Sequence, residues 1–333
     1  MPLPLRTRLF GWLLPRIPGG TVAGASAERI AAMQARVIPD TPITRAVKGG
    51  VADGVRLTED QVPGAGGLLR ARIYRPVGHD GDLPVVVHFH GGGWVLRNLE
   101  VSDWLCSRVA KGAQVVVVSV DYRLAPQHPF PAAVEDAVAA TGWIARHAAN
   151  VGGDATRMAV MGDSAGANLA AVVALAARDA GGPELRLQIL LYPPTDLTGA
   201  SPSLTEDPDA LILTPLGRDT FLSLYLGAAD PADPRASPLL ATDHAGLPPT
   251  LIQVGDRDPL RDDASRYAAA LRAAGVEVRG TIYLDAVHGF LSFPGVVPAA
   301  RQALWEIVNE VRRHLHPAGD LSPADGGSDG RAS

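Results

Sequence analysis

The sequence predicts an α/β protein built on a doubly wound, mostly parallel sheet of about eight strands with helices on both faces, and three observations carry that prediction. Short β-branched runs alternate with helix-periodic segments over roughly 200 residues. Runs such as Val115-Val116-Val117-Val118 are apolar on both faces, as expected of central parallel strands covered by helices. The 333-residue chain is 47% apolar, 20% charged and only 5% aromatic, with abundant alanine and 36 glycines, a mixture suited to helices packed closely on a sheet.

In order along the chain, strands are expected at 69–74, 85–89, 115–120, 158–161, 187–191, 250–254 and 278–284. The first follows the Gly-rich turn 64–67 and reads as part of an antiparallel edge hairpin. Helical composition and periodicity occupy 101–110, 132–148, 165–177, 263–273 and 299–314, and Gly275 suits the stop of the fourth. Residues 193 to about 249 depart from this rhythm, with many prolines and one convincing helix at 216–226. A long excursion after a strand's carboxyl end lies over the ligand region of a doubly wound fold. It therefore reads as a cap insertion within a catalytic domain spanning 51–316, joined by residues 1–50 as an N-terminal cap segment. Residues 317–333, rich in Gly, Asp, Ser and Pro, cannot bury enough apolar surface to offset ordering and read as a disordered tail.

A net charge of −5 gives no reason to expect a nucleic-acid partner. The single cysteine, Cys106, excludes an internal disulfide and any Cys-rich zinc site. No uninterrupted apolar stretch approaches the roughly 20 residues a spanning helix needs, so stable membrane insertion is not expected. Arg6 and Arg8 ahead of 9–14, with Ala25-Ser26-Ala27 beyond, imitate an export signal. That run is short and broken by Pro15 and Arg16, so a cytoplasmic location is expected instead. The oligomeric state stays open, a homodimer included.

The chemistry begins where strand 158–161 runs into Gly162-Asp163-Ser164-Ala165-Gly166 and a helix follows at once. Strand, tight turn and helix are the context in which G-x-S-x-G marks a nucleophile: small neighbours let the turn close and push the Ser164 hydroxyl above the sheet. Free amides at the helix start favour developing negative charge. Asp163 is expected to fix the loop. A second signal, His90-Gly91-Gly92-Gly93-Trp94, ends strand 85–89. Consecutive glycines let backbone amides approach a ligand, so this loop and the amide of Ala165 are candidates for an oxyanion site. No Gly-Lys-Ser/Thr or G-x-G-x-x-G pattern supports a phosphate loop. His88 and His90 share a strand face but lack a third ligand, so no metal is expected.

Of nine histidines, His79, His128, His147, His244, His314 and His316 fall in turns, helix surfaces or the tail and read as solvated. His288 follows the last strand in Val287-His288-Gly289-Phe290, placed to reach over the sheet's carboxyl edge toward Ser164. Imidazole exchanges protons near neutral pH, which suits a base that later returns the proton. The acid should lie between serine and histidine in chain order. Strand 250–254 leads into Asp256-Arg257-Asp258-Pro259, and Asp258 is favoured because the proline would hold the loop extended. Asp256 is the main rival, with Asp262 and Asp263 behind it as helix-start residues.

Taken together, His90–Trp94, Gly162–Gly166, Asp258-Pro259-Leu260 and His288-Gly289-Phe290 resemble the hormone-sensitive-lipase group of α/β hydrolases, also called family IV bacterial esterases. Asp121-Tyr122-Arg123-Leu124-Ala125-Pro126 and Pro129-Phe130-Pro131 resemble a further stretch of that group. The likeness runs from about Leu69 to Arg313. It implies a carboxylic ester hydrolase with Ser164, Asp258 and His288 as triad, Gly92, Gly93 and Ala165 as oxyanion donors, and Gly91 shaping their loop. It also implies a helical cap, small esters of short to medium acyl chain as substrates, and no cofactor. Ala167 and Gln127 depart from the group's usual glycine and glutamate, which bears on loop packing and substrate preference rather than on reaction class. Trp94, Leu211, Ile212 and Phe290 are candidate pocket residues, chosen for apolar character near the motifs or in the lid. Two alternatives remain beside the esterase reading. An amidase or thioesterase would keep the mechanism and change the bond, and a receptor-like hydrolase homologue would have lost its catalysis.

Overall fold

The structure is a computed structural model that describes residues 3–16, 21–36, 38–39, 41–79, 81–96, 99–207 and 210–316. The tail expected at 317–333 lies outside the described residues. Eight strands form one sheet: β1 (Val55–Gly64), β2 (Gly67–Pro76), β3 (Leu83–Phe89), β4 (Val116–Val120), β5 (Gly153–Asp163), β6 (Leu187–Leu191), β7 (Thr250–Arg257) and β8 (Val278–Val287). Their spatial order is β1-β2-β4-β3-β5-β6-β7-β8. β2 pairs antiparallel with β1 and β4, and every other pairing is parallel. The expected edge hairpin is β1–β2, closed where Gly64 faces Gly67.

Ten helices accompany the sheet among the described residues. They are α1 (Leu5–Leu13), α2 (Ala27–Gln34), α3 (Pro42–Lys48), α4 (Asp103–Ala113), α5 (Ala132–Arg146), α6 (Ala165–Asp179), α7 (Ser203–Glu206), α8 (Pro215–Leu226), α9 (Arg261–Ala273) and α10 (Ala299–Leu315). α4 and α10 pack together over one face, while α5, α6 and α9 cover the other. Every residue of β3, β4 and β6 is buried, which is why these strands are apolar on both faces apart from His88, Ser119 and Gln188. Each valine so enclosed contributes on the order of 1.5–3 kcal/mol relative to exposure. α6 meets the sheet through small residues, with Ala165, Ala167, Ala170, Ala171 and Ala174 all buried.

Between β6 and β7 the chain leaves the sheet for 58 residues' worth of sequence numbering (192 to 249) and, among the described residues, contributes α7, α8 and a short 3₁₀ turn at Pro238–Leu240. Asn168 of α6 ties this excursion down by donating to the carbonyls of Pro194 (2.9 Å) and Ala236 (2.8 Å). At the N-terminus, Phe10 of α1 packs on Phe293 with ring centroids 4.8 Å apart. Among the described residues no helix is long and apolar enough to cross a membrane.

The pairing of β7 with β8 is irregular. Gly255 faces Tyr283, yet Arg257, two residues on, faces Val287, four residues on. β8 thus bulges by two residues, with Asp285 at φ 57°. Gly255 is required opposite the bulge, because a Cβ there would collide with the carbonyl of Ala286.

Candidate active site

β5 ends at Asp163 and α6 begins at Ala165, so Ser164 alone makes the turn between them. Its φ of 53° and ψ of −120° lie where L-residues are strained, a cost of about 1–3 kcal/mol that the surroundings must hold in place. A Cβ on Gly162 would strike the carbonyl of Gly166, and one on Gly166 would strike the carbonyl of Phe89. Both glycines of the motif are therefore demanded by close backbone approach. Ser164 donates its N–H to the Leu191 carbonyl (2.8 Å), and its own carbonyl accepts from Ala167 (2.9 Å) and Asn168 (3.1 Å). Asp163 sits beside β3 and the glycine loop: its Oδ1 is 3.3 Å from Nε2 of the buried His88, and its carboxylate fills the space a Cβ on Gly91 would need.

His288 stands directly after β8, and its Nε2 lies 2.9 Å from Ser164 Oγ. Its Nδ1 lies 2.9 Å from Oδ2 and 3.0 Å from Oδ1 of Asp258. A carboxylate can only accept, so Nδ1 carries the proton and Nε2 is left to accept from the serine hydroxyl. Both His288 and Asp258 are buried. The aspartate is aimed by a turn rather than by the extended loop expected from Pro259. Oδ1 accepts the N–H of Leu260 (2.8 Å), and the Asp258 carbonyl accepts that of Arg261 (3.0 Å).

The rival carboxylates face elsewhere. β7 runs on through Arg257, and Asp256 accepts from the Ala286 N–H across the bulge (3.3 Å). Asp262 caps the segment at Ser203 (2.9 Å). Asp263 accepts from the N–H groups of Thr195 (2.9 Å) and Asp196 (3.2 Å) and from the Ser201 hydroxyl, pinning the start of the excursion to α9. Burial dominates over these bonds and pushes its carboxyl up to about 6.

The glycine loop follows β3. Gly92 and Gly93 have φ of 119° and 62°, conformations that glycine adopts freely. Gly93 is also bare because the Phe221 ring of α8 occupies the space of its Cβ. His90 serves as a prop. It stacks on Tyr122 at 4.5 Å and donates from Nδ1 to the Gly91 carbonyl (2.7 Å), while the Tyr122 hydroxyl donates to the His90 carbonyl (2.7 Å). Ala125 donates to the Trp94 carbonyl (2.9 Å). Arg123 ion-pairs with the buried Asp136 (2.7 Å), which fastens the whole 121–126 stretch to α5. Ala165 opens α6, so its amide precedes the helix's own hydrogen-bond ladder.

These groups border a cavity of about 380 Å³ that includes Gly92, Gly93, Trp94, Ser164 and His288 in its wall. Ile212 lines it as expected, but Leu211 does not: its side chain faces Gly11 of α1. Phe290 does not line it either, being fully buried against Tyr192 and Tyr283, each 5.5 Å away between centroids. Tyr192, Leu213, Phe221 and Phe293 line it and escaped the sequence reading. Tyr192 carried a usable signal, since it directly follows the carboxyl end of β6. His244, read as solvated, is buried and donates from Nε2 to the Pro238 carbonyl (2.9 Å).

Comparison with known proteins matches residues 86–292 to a family described by its alpha/beta hydrolase fold. The chain is 45% identical over 264 residues to the carboxylesterase NlhH of Mycobacterium tuberculosis, covering 78% of this chain and 83% of that one. It is 47% identical over 266 residues to the esterase LipI of the same organism (79% and 83% covered). An ethyl acetate hydrolase of Pseudomonas putida is 36% identical over 256 residues (75% and 80% covered). Among solved structures, an esterase of Pyrobaculum calidifontis superposes with a TM-score of 0.82 at 38% identity, covering 94% of this chain and 99% of that one.

Proposed function

This chain belongs to the α/β-hydrolase family, in its hormone-sensitive-lipase-like group, and is a carboxylic ester hydrolase; we propose that it acts through an acyl-enzyme formed on Ser164. The observation that carries the mechanism is the unbroken hydrogen-bonded chain from Ser164 Oγ through His288 to Asp258. Ser164 Oγ attacks the ester carbonyl carbon while His288 Nε2 takes its proton. Asp258 holds the Nδ1–H tautomer and stabilises the imidazolium that forms. The amides of Gly92, Gly93 and Ala165 receive the carbonyl oxygen as it becomes negative, with Gly91 shaping the loop. His288 then protonates the departing alcohol, and a water activated by the same nitrogen releases the acid and restores the serine.

The substrates in this reading are small esters of short to medium acyl chain. A cavity of about 380 Å³ is at the low end of small-molecule sites, and one relative is named for ethyl acetate. The described residues within 1–50 and 193–249 form the cap over Ser164 in this reading, which is supported by Leu14, Val22, Ile212 and Phe221 all bordering the cavity. Ser164→Ala is expected to abolish hydrolysis of a short p-nitrophenyl ester and labelling by a fluorophosphonate probe while the fold persists. Undiminished activity in that variant would overturn the reading.

A further inference from the structure

We propose that the outward face of α1 is a docking surface for an anionic lipid bilayer. Leu5, Leu9, Trp12 and Leu13 are 68%, 57%, 58% and 49% exposed. At 100° per residue these four positions fall on one side of the helix. Thr7 and Gly11, which are buried, and Phe10, which packs on Phe293, lie on the other side. The helix is therefore amphipathic in an unusual sense, seated by small residues and the ring of Phe10 while its leucines and its tryptophan face outward.

Charge identifies what that stripe meets. By the same helical geometry Arg6 and Arg8 fall on its two borders, and the Arg16 guanidinium lies 4.0 Å over the Trp12 ring. All three arginines are exposed. No acidic residue occurs before Glu28, although the chain as a whole carries −5. An apolar stripe bordered by arginines, with an indole along one edge, matches the interface of a bilayer with anionic headgroups. A second copy of the chain fits less well, since it would bring the same arginines against these. The helix also sits at the cavity: Leu14, just past its end, and Thr21 and Val22 beyond contribute to the wall around Ser164. Docking would place that wall against the phase in which lipophilic esters dissolve, a consequence that rests on the ester-hydrolase mechanism, whereas docking itself does not.

The test is flotation of the full-length protein with phosphatidylcholine vesicles, with and without one-third phosphatidylglycerol, alongside Trp12 emission. Binding to the anionic vesicles, weakened by salt, is expected. Arg6→Glu/Arg8→Glu/Arg16→Glu should lower the partition coefficient about a hundredfold or more, each basic residue near an anionic surface being worth about fivefold. Leu9→Gln/Trp12→Gln/Leu13→Gln should lower it comparably. Both triple variants should hydrolyse soluble p-nitrophenyl acetate within about twofold of the parent, which certifies their fold. Absence of flotation, equal affinity for neutral and anionic vesicles, or indifference to either variant overturns the proposal. So does sedimentation showing that the apolar variant merely dissociates a dimer. Vesicle binding is read without turnover, so failure of the catalytic mechanism would register separately.

Discussion

The indole of Trp94 lies flat on the ring of Tyr225, with centroids 4.2 Å apart and planes only 4° from parallel. Trp94 ends the glycine loop and Tyr225 belongs to α8, so the loop that would face the developing charge in the proposed mechanism is braced by α8 and not by the sheet alone. Phe221, one turn earlier on α8, occupies the space beside Gly93. Tyr225→Ala is expected to cost about 3–5 kcal/mol of stability through the cavity it leaves. Its kcat should fall about ten- to a hundredfold as the donors lose alignment, within the range for loss of one oxyanion donor. Tyr225→Phe keeps the stack and should stay near the parent in both thermal unfolding and steady-state kinetics.

Ser164 holds its turn under strain. Ser164→Gly, which adopts φ 53° freely, should therefore be about 1 kcal/mol more stable than Ser164→Ala, with strain relief exceeding the entropic cost of glycine. Both variants should be inactive. Denaturant melts of the two, side by side, provide the check.

The two aspartates two residues apart should differ sharply. Asp258→Asn loses the acceptor that fixes the histidine tautomer and is expected to lower kcat by about 10⁴. Asp256→Asn, whose parent carboxylate bonds to the Ala286 N–H, should leave kcat within about threefold. A matched pair of rate constants on one p-nitrophenyl ester decides between them.

Asp263 predicts a pH dependence of stability. Burial raises its folded value to about 6, above the ordinary carboxylate value of 3.8. The neutral form is favoured in the fold, so this contribution is fully present below about pH 4 and is lost as pH rises through about 6. The melting temperature of the parent relative to Asp263→Asn should accordingly be higher at about pH 4.5 than at about pH 8. A difference that is flat or reversed would show that the bonds to Thr195, Asp196 and Ser201 outweigh desolvation.

The sheet and the chain order of Ser164, Asp258 and His288 were legible because each rests on local constraint. The buried strands β3 and β4 each carry three consecutive valines, and Gly162 and Gly166 are forced by backbone contact within a few residues of Ser164. The pocket was legible only in part. Leu211 and Ile212 are neighbours in a segment without periodicity, so nothing local tells which of them turns toward the cavity and which toward Gly11. Phe221 and Tyr225 enter through the docking of α8 on the glycine loop, a tertiary contact about 130 residues apart in sequence. Strand ends were also misjudged. β8 continues past 284 to Val287 because its bulge interrupts alternation, and β7 continues past 254 to Arg257, which places Asp256 in a ladder and out of reach of the histidine.

That bulge sets how far the imidazole reaches. A strand advances about 3.3 Å per residue, so two residues looped out on β8 let the chain spend six or seven ångströms without gaining height along β7. Drawn straight with those two residues kept, β8 would still pair, yet His288 would overshoot its level by that distance and stand too high to touch Asp258 and Ser164 together. A local defect in pairing is thus the ruler by which one strand is cut to the length its neighbours require.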